Sequence, residues 1–270
     1  MSHHEANRTH LAAAADHLRA LHAGPEALVF PNVWDAASAR AVAEAGFPAI
    51  ATTSSGMSAT LGWADGEHTP VDQMFSAIAR ITRSVDVPVT ADIEAGYGLD
   101  PEEIVNRLVD AGAVGCNLED TDHATGASLL EPTTQAARLA AVKRQARAAG
   151  VDIVLNARVD VFLRNTAGDQ TPIEEAIRRG RLYLDAGADC VFPIGAPDEA
   201  AIAALVDGIP GPINVIAGFH GAPGMARLKE LGVRRISYAG RLHRAMFVEH
   251  QRRLAAIRAG EELWTGPQTC

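Results

Sequence analysis

Two acids stand two residues apart near the end of an apolar run, Asp92 and Glu94 in V-P-V-T-A-D-I-E-A-G-Y-G (87–98). Val87, Val89, Ala91 and Ile93 give the run the character of a buried strand, and Gly96 and Gly98 end it. Side chains alternate along a strand, so the two carboxylates leave the same face. Burying two like charges is costly unless something cationic sits between them. A second acidic strand end, G-C-N-L-E-D (115–120), follows one βα unit later and brings Glu119 and Asp120. A third brings Asn156, Arg158 and Asp160.

Carboxylates are hard oxygen ligands. No paired His or Cys at zinc-like spacing accompanies them, so Mg²⁺, or Mn²⁺ in its place, suits the set better than Zn²⁺. Asp92, Glu94 and Glu119 would hold the ion directly or through water. Such an ion takes two oxygens of a 2-oxo or 2-hydroxy acid and stabilises the enolate formed when a neighbouring bond breaks. Asn156 and Arg158 share a strand face and are candidate substrate-binding residues. The guanidinium is either a bidentate clamp for an anionic oxygen or a structural ion pair with one of these acids.

The elements that must position these groups are read from a repeated joint. Ala45-Gly46, Ala111-Gly112, Ala149-Gly150, Ala186-Gly187 and Leu231-Gly232 each close a helical stretch and precede an apolar run. Glycine just past a helix end is the expected left-handed cap. The strands predicted this way are 27–30, 49–52, 87–92, 115–119, 152–158, 190–193, 212–216 and 235–238. Helices are expected at 11–23, 36–45, 71–84, 101–111, 134–149, 173–186, 198–206, 224–231 and from Arg241 toward Gly260. Long polar loops are expected over 53–69 and 120–132. Eight strands alternating with helices describe a (β/α)₈ TIM barrel over a single domain, 1–270. Residues 1–26 form its amino-terminal tail and helix, and 241–270 a carboxyl-terminal helical extension. An open doubly wound sheet is the competitor, but P-N-V-W-D follows the first strand where a dinucleotide fold needs its glycine fingerprint.

The chain's 270 residues carry a net charge of −9, which argues against nucleic acid and anionic membranes as partners. No apolar run approaches the roughly 18–20 residues that span a bilayer, and the amino terminus has no secretory h-region. Three cysteines suit a reducing cytoplasm. Cys116 and Cys190 lie in apolar runs and are expected to pack in the core, whereas Cys270 is terminal. In the loop after Glu119, His123 alone titrates near neutrality. It is a candidate general acid, weighed against a solvated loop histidine.

The runs A-D-I-E-A-G-Y-G (91–98), L-E-D (118–120), A-R-V-D (157–160) and S-S-G-M-S-A-T-L-G-W-A-D (54–65) together resemble the isocitrate lyase/phosphoenolpyruvate mutase superfamily. The resemblance extends from about Phe30 to Tyr238. It implies a (β/α)₈ barrel whose last helix is exchanged between subunits of a homodimer or homotetramer. It also implies Mg²⁺-dependent making or breaking of C–C or P–C bonds next to a small 2-oxo or 2-hydroxy carboxylate. By position, Asp92 matches the principal metal ligand, and Glu94 and Glu119 the outer carboxylates. Asp65 matches the acid of the loop after the second strand. Thr53, Ser54 and Ser55 lie where the substrate carboxylate is bound, and Arg158 matches the arginine that holds the substrate's anionic group. Two departures stand out. Glu94 replaces an aspartate common in the family, and D-T-D-H-A-T-G-A-S-L-L-E-P (120–132) replaces both the K-[KR]-C-G-H loop of the lyases and the K-x-N-S type loop of the mutases. The expected activity is a C–C lyase. The alternatives are P–C chemistry on phosphonopyruvate and a catalytically silent oxo-acid-binding barrel.

Overall fold

The computed structural model describes residues 3–164 and 171–261. Among them, eight short parallel strands form the interior: β1 (Leu28–Phe30), β2 (Ile50–Ala51), β3 (Val89–Asp92), β4 (Gly115–Glu119), β5 (Val154–Val159), β6 (Cys190–Pro193), β7 (Asn214–Ile216) and β8 (Arg235–Ser237). One ladder runs β2-β3-β4-β5-β6 and a second runs β1-β8-β7. The bridges Val33–Thr52 and Val191–Ile213 join the two ladders, so the ring closes in chain order. The predicted barrel is therefore present. Buried on both faces, its strands read as apolar runs rather than as alternating ones.

All five predicted joints carry a left-handed glycine, with φ between 78° at Gly150 and 99° at Gly187. At Gly112 the chain makes a two-bond stop. Gly112 donates to Val109 O, and Ala113 donates to Leu108 O, which satisfies carbonyls the helix end leaves free. The helices are α1 (His3–Ala23), α2 (Ala36–Glu44), α3 (Ser54–Leu61), α4 (Val71–Thr82), α5 (Pro101–Asp110), α6 (Pro132–Ala148), α7 (Val161–Arg164), α8 (Pro172–Asp185), α9 (Glu199–Gly208), α10 (Met225–Glu230) and α11 (Arg241–Arg258), and the five joints end α2, α5, α6, α8 and α10. α1 lies at the end of the barrel where the strands begin: Arg19 donates to Asp152 O and to Asp189 Oδ1.

Two stretches expected as loops are ordered differently. Residues 53–69 contain α3, because Ser54 and Ser58 turn inward beside fully buried Met57. Gly62, at φ 87°, then stops the helix. Residues 120–132 contain a two-residue antiparallel ribbon, Thr121–Asp122 against Ser128–Leu129, around the 3₁₀ turn His123–Thr125. Both expected core cysteines, Cys116 and Cys190, are buried, and burial pushes each thiol up to about 12. The side chains of His3 and His4, and the tail 262–270 with Leu263, Trp264 and Cys270, lie outside the described residues. No helix among the described residues is long and apolar enough to cross a membrane.

Candidate active site

A pocket of about 180 Å³ opens at the carboxyl ends of the strands, the end of a barrel where chemistry is built. Asp92 at the end of β3 is in register with Asn117 on β4, which is in register with Asn156 on β5. Two residues on, Glu119 pairs with Arg158 and Arg158 with Phe192. Thr53, Ser54, Ser55, Asp65, Asp92 and Arg158, all predicted from the sequence, line the pocket. Glu94, Glu119, His123 and Asn156 stand behind that first wall.

Asp92 joins two elements. Its Oδ2 accepts from the Ser54 amide at 3.0 Å, one of the first-turn amides that a helix cannot satisfy internally. Thr53, the residue before α3, makes no side-chain cap bond, so the distant Asp92 supplies the cap. The other oxygen, Oδ1, is buried and has no hydrogen-bond partner among the described residues. Asp65 sits at the mouth of the pocket. Burial, and then the charge of Asp92, raise its carboxyl above the ordinary value of 3.8.

Glu94 faces inward only because its backbone is left-handed, at φ 52°, a conformation that is uncommon outside glycine. Its Oε2 accepts from the amides of Gly66 and Glu67, both at 2.7 Å, and its Oε1 accepts from the Tyr97 hydroxyl at 2.6 Å. Burial still pushes this carboxyl up from 4.5, and the charges of Asp65 and Asp92 add to the rise. Glu119 is also held by the protein. His123 Nε2 lies 2.7 Å from its Oε1, and Arg158 Nη1 is ion-paired to its Oε2. Burial raises Glu119 as well, with Arg158 and His123 opposing.

Arg158 is ion-paired on two sides, to Glu119 and to Asp160. Besides Glu119 it grips Asp160 in a fork, Nε to Oδ1 at 2.6 Å and Nη2 to Oδ2 at 2.9 Å. Asp160 also accepts from Thr121 Oγ1 at 2.6 Å. Burial opposes the charge of Arg158, but Glu119 and Asp160 outweigh it and raise its pKa. One edge of the guanidinium still reaches the pocket wall.

Among the described residues, no group of three acidic, histidine or cysteine side chains comes together as a direct metal cage; Glu94 and Glu119 are engaged by protein donors. His123 is neither a free loop histidine nor a pocket residue, since it is turned onto Glu119 and that contact raises its pKa. Asn156 is fully buried below the pocket, where its Nδ2 donates to Asn117 Oδ1 at 2.8 Å.

The pocket also has residues that were not proposed as site residues. Asn32, Asn117, Phe192, Asn214, Arg235 and Ser237 line it. Alternation was the available signal for several of them: Asn117 lies two residues before Glu119, and Arg235 two before Ser237. Asn214 Nδ2 donates to Ser237 Oγ at 3.0 Å, and Asn32 Oδ1 accepts from the amides of Tyr238 and Ala239.

A closed parallel barrel with a polar, acid-rich pocket at its carboxyl end defines a class of small-molecule enzyme folds. Residues 18–258 match the family described as phosphoenolpyruvate phosphomutase. An uncharacterized protein of Mycobacterium tuberculosis is 35% identical over 238 residues, 87% of this chain and 86% of the relative. A 2,3-dimethylmalate lyase of Eubacterium barkeri is 29% identical over 203 residues, 72% of this chain and 68% of that one. The crystal structure of a putative phosphonomutase from Burkholderia cenocepacia J2315 superposes with a TM-score of 0.79 at 39% identity, covering 91% of this chain and 98% of the other. The chain belongs to the isocitrate lyase/phosphoenolpyruvate mutase superfamily.

Proposed function

We propose that the protein is a divalent-metal-dependent lyase that cleaves a C–C bond of a small 2-oxo or 2-hydroxy carboxylic acid. Asp92 carries this reading: its buried Oδ1 has no partner and its residue lines the pocket, while Asp65 and Glu94 are raised partly by its charge. Such a donor set fits a hard cation that takes one protein oxygen directly. Glu94 and Glu119 would support it through water, as suits Mg²⁺, which keeps several of its waters; Mn²⁺ is the alternative. A bound ion supplies Lewis-acid stabilisation of the negative charge that develops on the substrate oxygen.

The chain's own groups do the rest. The first-turn amides of α3, with the hydroxyls of Thr53 and Ser55, receive the substrate carboxylate at a helix N-terminus. Thr53 Oγ1 and Ser55 Oγ are 3.1 Å apart and share one hydrogen bond. The side of Arg158 that lines the pocket orients the substrate. Asp65, raised and at the mouth, holds or delivers the proton at its carboxyl. Phe192, Leu163 and Ile194 exclude water from one wall.

The test is turnover of oxaloacetate and of substituted malates and citrates, with and without Mg²⁺. Mg²⁺-dependent cleavage that EDTA abolishes is expected. Folded protein that turns over none of them overturns the reading, and tight oxalate or pyruvate binding without turnover makes it a silent binding barrel. Similarity to a putative phosphonomutase favours P–C chemistry as the second reading, which phosphorus NMR with phosphonopyruvate detects.

The same reading includes a homodimer or homotetramer formed by exchange of α11. Of that helix only Ala256 is buried, while Met246, Phe247, Val248, Leu254 and Ile257 are exposed. A largely apolar groove of about 610 Å³ runs between α11 and α2. Light scattering should show an oligomer that F247E disrupts. A monomer at micromolar concentration overturns this part.

A further inference from the structure

Arg235, on β8, lies on the floor of the pocket and is 2 % exposed. A guanidinium keeps its charge under all ordinary conditions, and buried charges are normally paired. No acid is ion-paired to this one among the described residues. Its contacts are neutral: Nη1 is 3.2 Å from His22 Nε2, Nη2 donates to Asn117 Oδ1 at 3.3 Å, and the group lies 4.6 Å over the Phe30 ring. His22 is itself held in a defined tautomer, since its Nδ1 lies 2.8 Å from Leu18 O. The proton therefore sits on Nδ1, and Nε2 accepts from Arg235. The Nε of Arg235 has no hydrogen-bond partner among the described residues. Beside it, Asn214 leaves its Oδ1 free while giving its amide to Ser237.

A buried guanidinium in the pocket wall with neutral contacts only lacks an anion. The acid-rich wall with Asp92 faces the same space. We propose that Arg235 receives a second oxyanion of the substrate, so that the ligand carries one carboxylate at the α3 end and another negative group directed at β8. This rests on the oxo- or hydroxy-acid reading above and adds the residue that selects for a second anionic group. At about 180 Å³ the pocket falls below the roughly 300–1,000 Å³ of drug-sized sites, which fits a short diacid. Carboxylate and phosphonate share the chemistry that a guanidinium recognises, and the ligand series separates them.

The experiment compares lactate with malate, and pyruvate with phosphonopyruvate, by calorimetry and thermal shift in Mg²⁺, using the wild-type chain and R235M. The wild type should prefer the dianion of at least one pair by about tenfold or more, as a charge-assisted contact supplies. R235M should abolish that preference while leaving lactate and pyruvate affinity within about threefold. Preference within the malate pair identifies a carboxylate, and within the phosphonopyruvate pair a phosphonate. An unchanged preference in R235M, or equal weakening of monoanions and dianions, overturns the assignment. Without ligand, R235M should melt no lower than the wild type, because it removes a buried charge that has no ionic partner. A fall of more than about 5 °C marks Arg235 as structural and also overturns it. Wild-type protein that binds no member of the series sinks the oxo-acid reading itself. Monoanion binding without a dianion preference sinks only the role of Arg235.

Discussion

Arg158 and Arg235 line one pocket from opposite arcs of the barrel, and their surroundings are inverted. Arg158, with 14% of its side chain exposed, is enclosed by Glu119 and Asp160. Arg235, more deeply buried, meets an imidazole, a carboxamide and an aromatic face. On the β3–β5 arc carboxylates are in excess and one of them, Asp92, keeps a free oxygen. On the β8 arc positive charge is in excess. Each arc thus lacks the charge the other has, and the protein does not join the two directly. Such a separation would collapse into ordinary ion pairs if stability alone had shaped the site, since buried charges are tolerated best when paired. A site that keeps its charges apart is complementary to ligands of both signs, a cation on one arc and an oxyanion on the other.

The largest effect that would break this comparison is at Asp92. D92N should lower turnover by roughly 10³-fold, comparable to removing a key electrostatic group from an active site, and should abolish the Mg²⁺ dependence. It should not destabilise the fold at neutral pH. Asp65 and Glu94 are raised above 3.8 and 4.5 in the fold, with Asp92 contributing. Acids raised in this way contribute stability below their unfolded values, and that contribution is lost as pH rises through the folded ones. Removing one charge therefore relieves the arc at pH 7. A loss of several degrees in melting temperature at pH 7 would show instead that Asp92 is chiefly a cap for α3.

Next in size is the stability contrast between the two arginines. R158M strands Glu119 and Asp160, and breaking a buried pair costs about 3–5 kcal/mol, a drop of roughly 6–20 °C for a chain of this size. R235M, which has no ionic partner to strand, should show no such drop. Equal losses in urea unfolding would erase the distinction drawn between the arcs.

The β8 arc also has the opposite response to acid. Burial and the neighbouring Arg235 lower His22 from 6.5 to about 4. A depressed histidine contributes stability that is present above its unfolded value and is lost as pH falls from 6.5 through about 4, here on the order of 3 kcal/mol. H22Q keeps an acceptor for Arg235 without the titration. Its urea-unfolding stability should vary less between pH 6.5 and 4 than that of the wild type. An equal slope would place the acid sensitivity elsewhere.

What could be read from the sequence follows the same division. The eight strands were legible because each is an apolar run, and five of them follow a glycine stop, a local pattern. Asp92, Glu94, Glu119 and Arg158 were legible because acids and an arginine at strand ends stand out against such runs. Helix α3 was not, because Ser54, Ser55 and Ser58 resemble loop composition and the cap comes from Asp92, 38 residues on from Ser54. Arg235 was hidden more completely. In R-R-I-S it resembles a surface position, and its burial depends on His22 and Asn117, 213 and 118 residues away in the chain. The engagement of Glu94 by the amides of Gly66 and Glu67, 28 and 27 residues back in the chain, was nonlocal as well.

The smallest expected effect concerns His123, and it tests how the acidic arc holds its own excess. Were His123 the general acid, its removal would lower turnover by about 10²–10⁴-fold. Its position argues otherwise: Nε2 is committed to Glu119 at 2.7 Å and the residue does not line the pocket. H123N keeps a donor near Glu119 but cannot carry a proton at neutral pH. Turnover should therefore fall less than tenfold, about 1.4 kcal/mol at most, with the shape of the pH–rate profile retained. Loss of the alkaline limb of that profile, together with a hundredfold drop, would return His123 to the reaction. It would also mean that the ribbon Thr121–Asp122/Ser128–Leu129 carries the imidazole into the pocket when substrate is bound, releasing Glu119 to the cation.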